Sequence, residues 1–427
     1  LPVIKDTRLY KMRAREVVLA TGVMGQPATF HNNDLPGIML GSAAQRLIKS
    51  YGVRPGHRAI VYTNADDGYG VALDLLDAGV EIAAVVDLRA DVSNDSRARL
   101  LADRKIPTHH QHAIIAATAG SGNRHVTGVS IGPADSAMVA ATVECDLVCM
   151  AVGSMPTYQL ALQAGARLGH DDEEAALSII GLPEHVAIAG GVNGAVDIDA
   201  AETDGRLAGW RAARALGAAV GAEPESTPSA PRSPAPLHPV RAHPKGKDFV
   251  DFDEDLQVAD IVYSVAEGYR ELELVKRFWT VGMGPSQGRH SALNTARIVA
   301  QETDRTLGQV GVTTARPPVY GERLGVLAGR SFDPERHTAM HHRHLEAGAQ
   351  MMTAGVWWRP AYYGPRGRRE ECINREAMAV RQNLGVIDVS TLGGLEIRGP
   401  DAAEFMNRMY TFAYLKQPVG RARYVLM

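Results

Sequence analysis

The segment TVGMGPSQGRHSALN (280–294) sets Gly282, Gly284 and Gly288, with Thr280, Met283, Gln287 and Arg289, ahead of a helix expected from about Ser291. Backbone amides at a helix N-terminus, joined by one guanidinium, suit an anion such as a phosphate group; a plain helix–helix turn is the other reading. In RHTAMHHRH (336–344), His337, His341 and His344 fall at i, i+4 and i+7 of a helix expected to start at Pro334 and Glu335. That spacing could ligate zinc, but no metal is assigned. WWRPAYYGPRGRR (357–369) could stack on a flat ligand or pack its aromatics onto a neighbouring domain. Where a dinucleotide fold carries G-x-G-x-x-G, this chain has NADDGYG (64–70), and Asp66 with Asp67 would repel a pyrophosphate. Asp87 nevertheless follows the next strand, where such folds bind a ribose hydroxyl. Cys145 and Cys149, about 13 Å apart on one expected strand, are too distant for a disulfide and read as core.

Short apolar runs alternate with helical patterns before residue 217, which predicts βαβ units and a mainly parallel sheet. One complete unit spans a strand at 58–63, a helix from about 69 to 78 and a strand at 81–86. We read it as part of a Rossmann-like module (about 55–140) that binds no nucleotide. Residues 217–247, rich in Pro, Ala and Ser, form a linker or a surface-hugging strap. Residues 256–279 and 291–303 are strongly helical, so the second half opens as a small helical module. The last 45 residues read as strand, turn, strand, helix and strand, the opening of a domain without its sequel. At the other end, REVVLATG (15–22) reads as a late strand of a dinucleotide-binding fold with little before it. The chain is therefore expected to be a piece of a longer polypeptide at both ends.

With 427 residues, 45% of them hydrophobic and 22% charged, the chain has room for two to four ordinary domains. A formal charge of −3 offers no basic surplus for nucleic acid. No apolar run is long enough to span a membrane, and the charged first 20 residues do not form a signal peptide, so a cytoplasmic place is expected.

ATG (20–22), the strand leading to Gly153 and Pro156, and VAIAGGVNGA (186–195) resemble the closing motifs of two-dinucleotide flavoprotein reductases, in which a second dinucleotide module interrupts the first. The resemblance implies a nucleotide held by Thr21, Gly22, Gly190, Gly191 and Asn193. Those reductases place an Asp where this chain has Gly191, to hold the ribityl chain of FAD, which favours NAD here.

KDFVDFDEDLQVADIVYSVAEGYRELELVKRFW (247–279), the glycine-rich segment after it and VGVTTARPPVYGERLGVLAGR (310–330) resemble the α subunits of heterotetrameric sarcosine oxidases. The implied fold class is α/β: a partial glutathione-reductase-like domain (1–216), a linker (217–247), a helical module related to bacterioferritin-associated ferredoxins (248–330), and the start of an α+β aminomethyltransferase-like folate domain (331–427). Without a cysteine between 150 and 371, the helical module cannot hold an iron–sulfur cluster. The resemblance implies FMN, shared with a β subunit, against Thr280, Gly282, Met283, Gly284, Gln287, Gly288 and Arg289. It also implies tetrahydrofolate near Leu392 and Tyr424, FAD on the β subunit, and γ and δ subunits completing the complex. No catalytic residue is expected in this chain. The expected function is oxidative demethylation of sarcosine; the alternatives are another secondary-amine or opine dehydrogenase subunit, or a non-catalytic scaffold.

Overall fold

The structure, a computed structural model, describes residues 9–92, 95–171, 176–195, 197–225, 236–327 and 334–426. Two compact units divide the chain, Leu1–Val326 and Leu327–Met427.

The first unit opens with β1 (Val17–Leu19), β2 (Val23–Gly25), β3 (Ile38–Leu40), α1 (Gly41–Tyr51), β4 (Arg58–Thr63), α2 (Asp67–Asp77), β5 (Glu81–Asp87), α3 (Ser96–Asp103) and β6 (Thr108–His110). An antiparallel sheet of β7 (His112–Ala119), β8 (Val126–Pro133) and β9 (Ala141–Glu144) follows, and β10 (Leu147–Ala151) returns to the first sheet. That sheet runs β3-β10-β4-β5-β6 with every pairing parallel. The β4–α2–β5 unit matches the expected strands and helix to within two residues. The module is wider than the expected 55–140, however. Leu147, Val148 and Cys149 are wholly buried between β3 and β4, so β10 belongs to this sheet rather than to the enclosing domain.

Gly68 lets α2 close on β4: a Cβ there would stand 2.3 Å from Thr63 Cβ and Oγ1, and Thr63 is fully buried. Gly68→Ala should therefore cost about 1–3 kcal/mol, read as a lower Tm in a thermal melt.

β11 (Ser154–Pro156) pairs with β2, and α4 (Gln159–Gln163) leads into the hairpin β12 (Arg167–Asp171) and β13 (Ala176–Gly181). β14 (Val186–Ile188) then lies parallel to β1, followed by α5 (Ile198–Ala215), capped by the Asp197 carboxylate on the Ala200 amide.

Residues 226–235 of the expected linker lie outside the described residues. From Pro236 the chain is a fastened strap. The Asn64 amide donates to the Pro236 carbonyl at 3.1 Å, and Arg241 donates to that of Ala134 at 3.1 Å. His238 is buried on Arg297, and burial together with that guanidinium holds its ring pKa well below the usual value, so it stays neutral. Asn33 locks the next segment by exchanging two hydrogen bonds with the Phe249 backbone, at 2.8 and 2.9 Å.

β15 (Phe249–Asp251) and β16 (Leu256–Gln257) lead into α6 (Val258–Ala266), α7 (Leu272–Trp279) and α8 (Ala292–Thr303), with short turns α9 (Leu307–Val310) and α10 (Leu324–Leu327) after them. Gln257 and Asp260 form a capping box at the start of α6. Val258, Ile261, Val275, Ile298 and Val299 share one apolar core, so the expected helical module is present.

The second unit holds α11 (His341–Glu346), the hairpin β17 (Ala349–Ala354) and β18 (Trp357–Tyr363), α12 (Arg369–Gln382) and α13 (Ala402–Met409). The strands expected after residue 383 do not form; Leu384, Val386, Leu395 and Leu426 are exposed. A strand is held by hydrogen bonds to a neighbour, and among the described residues none is offered there.

Candidate functional site

Because β1 and β14 run side by side in parallel, Thr21 and Gly22 after one meet Gly190 and Gly191 after the other at the carboxyl ends of the strands. Ligands of parallel sheets bind at that end. Much of the polar capacity of these residues is already used within the fold. Asp204 of α5 accepts the Gly190 amide at 2.7 Å and the Asn193 side chain at 3.0 Å, and the Thr21 hydroxyl donates to the Thr157 carbonyl at 2.7 Å. Gly22 takes a positive φ of 69° with open space around the position of a Cβ, and its carbonyl accepts the Thr157 amide at 2.9 Å. Asp204 was not read from the sequence, where it looks like any acidic residue on the polar face of a helix.

In the inserted module, the carboxylate at the ribose position is taken up internally. Asp87 is fully buried and accepts from the Tyr69 hydroxyl at 2.9 Å and from the Arg89 guanidinium at 2.9 Å. Arg89 also bonds Asp66 beside the loop that would face a phosphate. One arginine thus bridges both carboxylates, leaving the group with a net charge of −1, and the Asp87 carboxylate is engaged within the fold.

The glycine-rich segment is ordered from below by two carboxylates of the β15 turn. Asp251 accepts the Gly282 amide at 2.7 Å, and Asp253 accepts the Ser286 amide at 2.8 Å. Burial pushes the Asp251 pKa up, but His290 and the amides of Gly282 and Asp253 outweigh it and hold it at about 2. Asp251, Asp253 and His290 bring three possible metal-ligand atoms within 4.8 Å of one another. The two carboxylates already hold the amides of Gly282 and Ser286, and His290 Nε2 stands 3.6 Å from Asp251, so the cluster orders the loop.

Above it opens a cleft of about 700 Å³ whose walls include Gly282, Met283, Gly284 and Gln287 of the expected set. Gly288 lies behind it, beside the buried Ser291 hydroxyl, and Thr280 bonds Glu254 at 2.8 Å. The expectation for Arg289 is corrected. Its guanidinium stacks over the Tyr320 ring at 4.1 Å and does not line the cleft. The expectation of free amides ahead of α8 is corrected in part, because Asp251 and Asp253 take those of Gly282 and Ser286 in the loop, and the Ala292 amide at the helix start donates to the Gly288 carbonyl at 2.8 Å. The cations on the cleft wall are Lys276, Arg277 and Arg316, which sequence reading passed over as ordinary surface charge.

In the second unit, α11 begins at His341 rather than near Pro334, so His337 lies outside it. The His337 and His341 rings stack at 3.8 Å with a 3° angle between them, and His344 turns away to a different partner. His344 Nε2 is 2.9 Å from Asp388 and its Nδ1 is 2.8 Å from the Tyr363 hydroxyl. His344, Ser390 and Thr338 hold the Asp388 pKa well below the usual carboxylate range. This network fastens the β17–β18 hairpin to the chain around Asp388, and the three histidines do not converge on a metal. Leu392 and Tyr424 do not meet in a cavity: both side chains are exposed, Tyr424 completely.

Residues 245–330 match the sarcosine oxidase A3 domain family, and residues 340–427 match the GCVT N-terminal domain. The sarcosine oxidase α subunit of Rhizobium meliloti is 35% identical over 98% of this chain and 42% of that protein. An opine oxidase subunit of Agrobacterium tumefaciens is 27% identical over 73% of this chain and 69% of its own length. Among solved structures, L-proline dehydrogenase from P. horikoshii aligns with a TM-score of 0.53 at 21% identity, covering 73% of this chain and 58% of that one, a likeness of fold. The chain spans less than half the length of the sarcosine oxidase α subunits it matches.

Proposed function

We propose that this chain, homologous along nearly its whole length to sarcosine oxidase α subunits, is part of the α subunit of such a multisubunit oxidoreductase. The observation that carries the reading is the union in one chain of a dinucleotide-type fold, a cleft within the A3-domain match and a GCVT-type segment. The complete complex would convert sarcosine, oxygen and tetrahydrofolate to glycine, hydrogen peroxide and 5,10-methylenetetrahydrofolate. The amine would be oxidised at FAD on the β subunit, so no catalytic residue is assigned here, and γ and δ subunits would complete a cytoplasmic heterotetramer. No helix among the described residues is long and apolar enough to cross a membrane.

FMN fits the cleft in size and polarity, since such ligand sites usually enclose about 300–1,000 Å³. When bound, it would carry electrons from the amine toward oxygen. This chain's part is to present Gly282, Met283, Gly284 and Gln287 as one wall, on a loop held still by Asp251 and Asp253. At the ends of β1 and β14, the backbones of Gly22 and Gly191 would face NAD, with Asp204 fixing the turn beneath it. Gly191 offers no acceptor to a ribityl chain. Extraction of the complete subunit should release NAD from this domain; FAD recovered from it would refute that assignment. Leu392 and Tyr424 form no cavity by themselves, so they would be at most one rim of a folate site.

Turnover of sarcosine by the complete complex with and without tetrahydrofolate tests the reading. Methylene capture that depends on folate supports it. The opine oxidase likeness favours a second reading, a subunit serving a different secondary amine, since the amine is proposed to be oxidised on another subunit. Preference for an opine over sarcosine in the same assay would select it.

A further inference from the structure

Three cations share the cleft wall without an ion-pair partner among the described residues: Lys276 and Arg277 on α7, and Arg316 on the segment opposite. Glu273 stands three residues before Lys276 and four before Arg277, the spacings at which helical ion pairs form. It lines the cleft too, yet neither pair closes within 4 Å. The other carboxylate of the cleft, Glu254, accepts the Thr280 hydroxyl. Three positive groups thus face the cleft against two negative ones, one of which is already hydrogen-bonded. Met283, half exposed, with Pro285 and Pro317, adds apolar surface to the same walls.

Arg289, the cation expected from sequence to bind the anion, has another task. Its guanidinium covers Tyr320, and its carbonyl accepts the side-chain amide of Gln26 at 3.1 Å. It ties the segment after the glycines to the 315–321 segment on one side and to β2 on the other.

Resting on the FMN reading of the cleft, we infer that Lys276, Arg277 and Arg316 hold the phosphomonoester of the ligand, while Arg289 is a positioning residue that keeps Tyr320 and the cleft wall in place. A dianion with three acceptor oxygens suits a cleft whose lining offers three cations that lack carboxylate partners, and Met283 and the prolines suit a flat apolar ring.

The test uses the complete heteromeric complex, with total flavin measured after denaturation and FAD subtracted. The triple variant K276Q/R277Q/R316Q should lower FMN per complex, and its flavin-depleted form should bind FMN at least roughly tenfold more weakly than the parent. Binding of riboflavin, which lacks the phosphate, should be unchanged by the triple substitution. Inorganic phosphate should compete with FMN in the parent and lose that effect in the variant. Arg289→Lys, which keeps a cation over Tyr320, should retain FMN. Full FMN affinity in the triple variant, or equal losses for FMN and riboflavin, would overturn the inference.

Met283→Trp separates this outcome from failure of the cleft reading itself. If tryptophan displaces FMN while the triple variant keeps it, the flavin lies in the cleft but these cations do not hold its phosphate. If neither substitution changes FMN content in correctly assembled complexes, the cleft is not the flavin site. Assembly of every variant is checked by size-exclusion chromatography, and single substitutions of Lys276 and Arg316, each expected to weaken FMN binding by a smaller factor, serve if the triple variant fails to assemble.

Discussion

Asp251→Ala should destabilise the first unit by about 3 kcal/mol and release the 280–288 segment that forms one wall of the cleft. The carboxylate is wholly buried and accepts two amides, from Gly282 at 2.7 Å and from Asp253 at 2.9 Å. Removing it leaves those donors facing a space that alanine cannot fill, at a cost of about 1–3 kcal/mol for each unsatisfied group. The His290 ring, 3.6 Å away, loses its acidic neighbour as well. Thermal unfolding should move down by roughly 6 °C or more, and the complete complex should carry less FMN. Asp251→Asn, which keeps an acceptor oxygen, should fall between parent and alanine. A melt within about 1 °C of the parent for both variants would show that the loop does not depend on this carboxylate.

The same group gives an acid-side signature. The folded chain holds the Asp251 pKa at about 2, whereas the ordinary value is 3.8. Its stabilisation is therefore complete above about pH 4 and disappears as the pH falls toward 2, because protonation then favours the unfolded chain. Stability measured between about pH 5 and 2 should fall more steeply in the parent than in Asp251→Asn.

Legibility in the sequence follows the range over which each feature is decided. The β4–α2–β5 unit was readable because its strand period, its turn and Gly68 are all local, and the helical module after the strap was readable from the apolar spacing of α6 to α8. The membership of β10 in the inserted sheet was not, because an apolar run of five residues suits any buried parallel strand and only its partners, β3 and β4, decide its place. The glycine-rich segment was recognised as a loop before a helix, but not which cations would face its cleft. That depends on Asp251 and Asp253, some thirty residues upstream, which fix the loop's tilt, and on Tyr320, thirty-one residues downstream, which captures Arg289. Lys276, Arg277 and Asp204 were passed over for a shared reason: a charged residue on a helix looks the same in sequence whether it faces water, a cleft or a turn. The three histidines failed as a metal set because the helix that would align them starts at His341. The strand pattern after residue 383 was real as a pattern, yet a strand takes its hydrogen bonds from a neighbour.

The 427-residue chain should bind tetrahydrofolate with a Kd no tighter than the millimolar range. Leu392 is about two-thirds exposed and Tyr424 completely so, and neither lines the clefts beside Gly282, beside Ser291 or beside β1 and β14. A ligand laid against two such side chains keeps most of its pterin in water, so apolar burial contributes little while the loss of its translational and rotational freedom remains in full. In the complete subunit, where we propose that the rest of the domain supplies the opposing wall, the same tyrosine should become a contact. Tyr424→Ala should then weaken folate binding roughly tenfold, about 1.4 kcal/mol. Sarcosine oxidation should continue at the parent rate, with the methylene group released instead of captured, because oxidation and capture are proposed to occur on different chains. Calorimetry on the 427-residue chain and on the complete subunit measures both affinities, and the peroxide yield without folate measures the oxidation. Micromolar affinity in the shorter chain would place the folate pocket elsewhere, and a loss of peroxide formation in Tyr424→Ala would mean that the two reactions share a site.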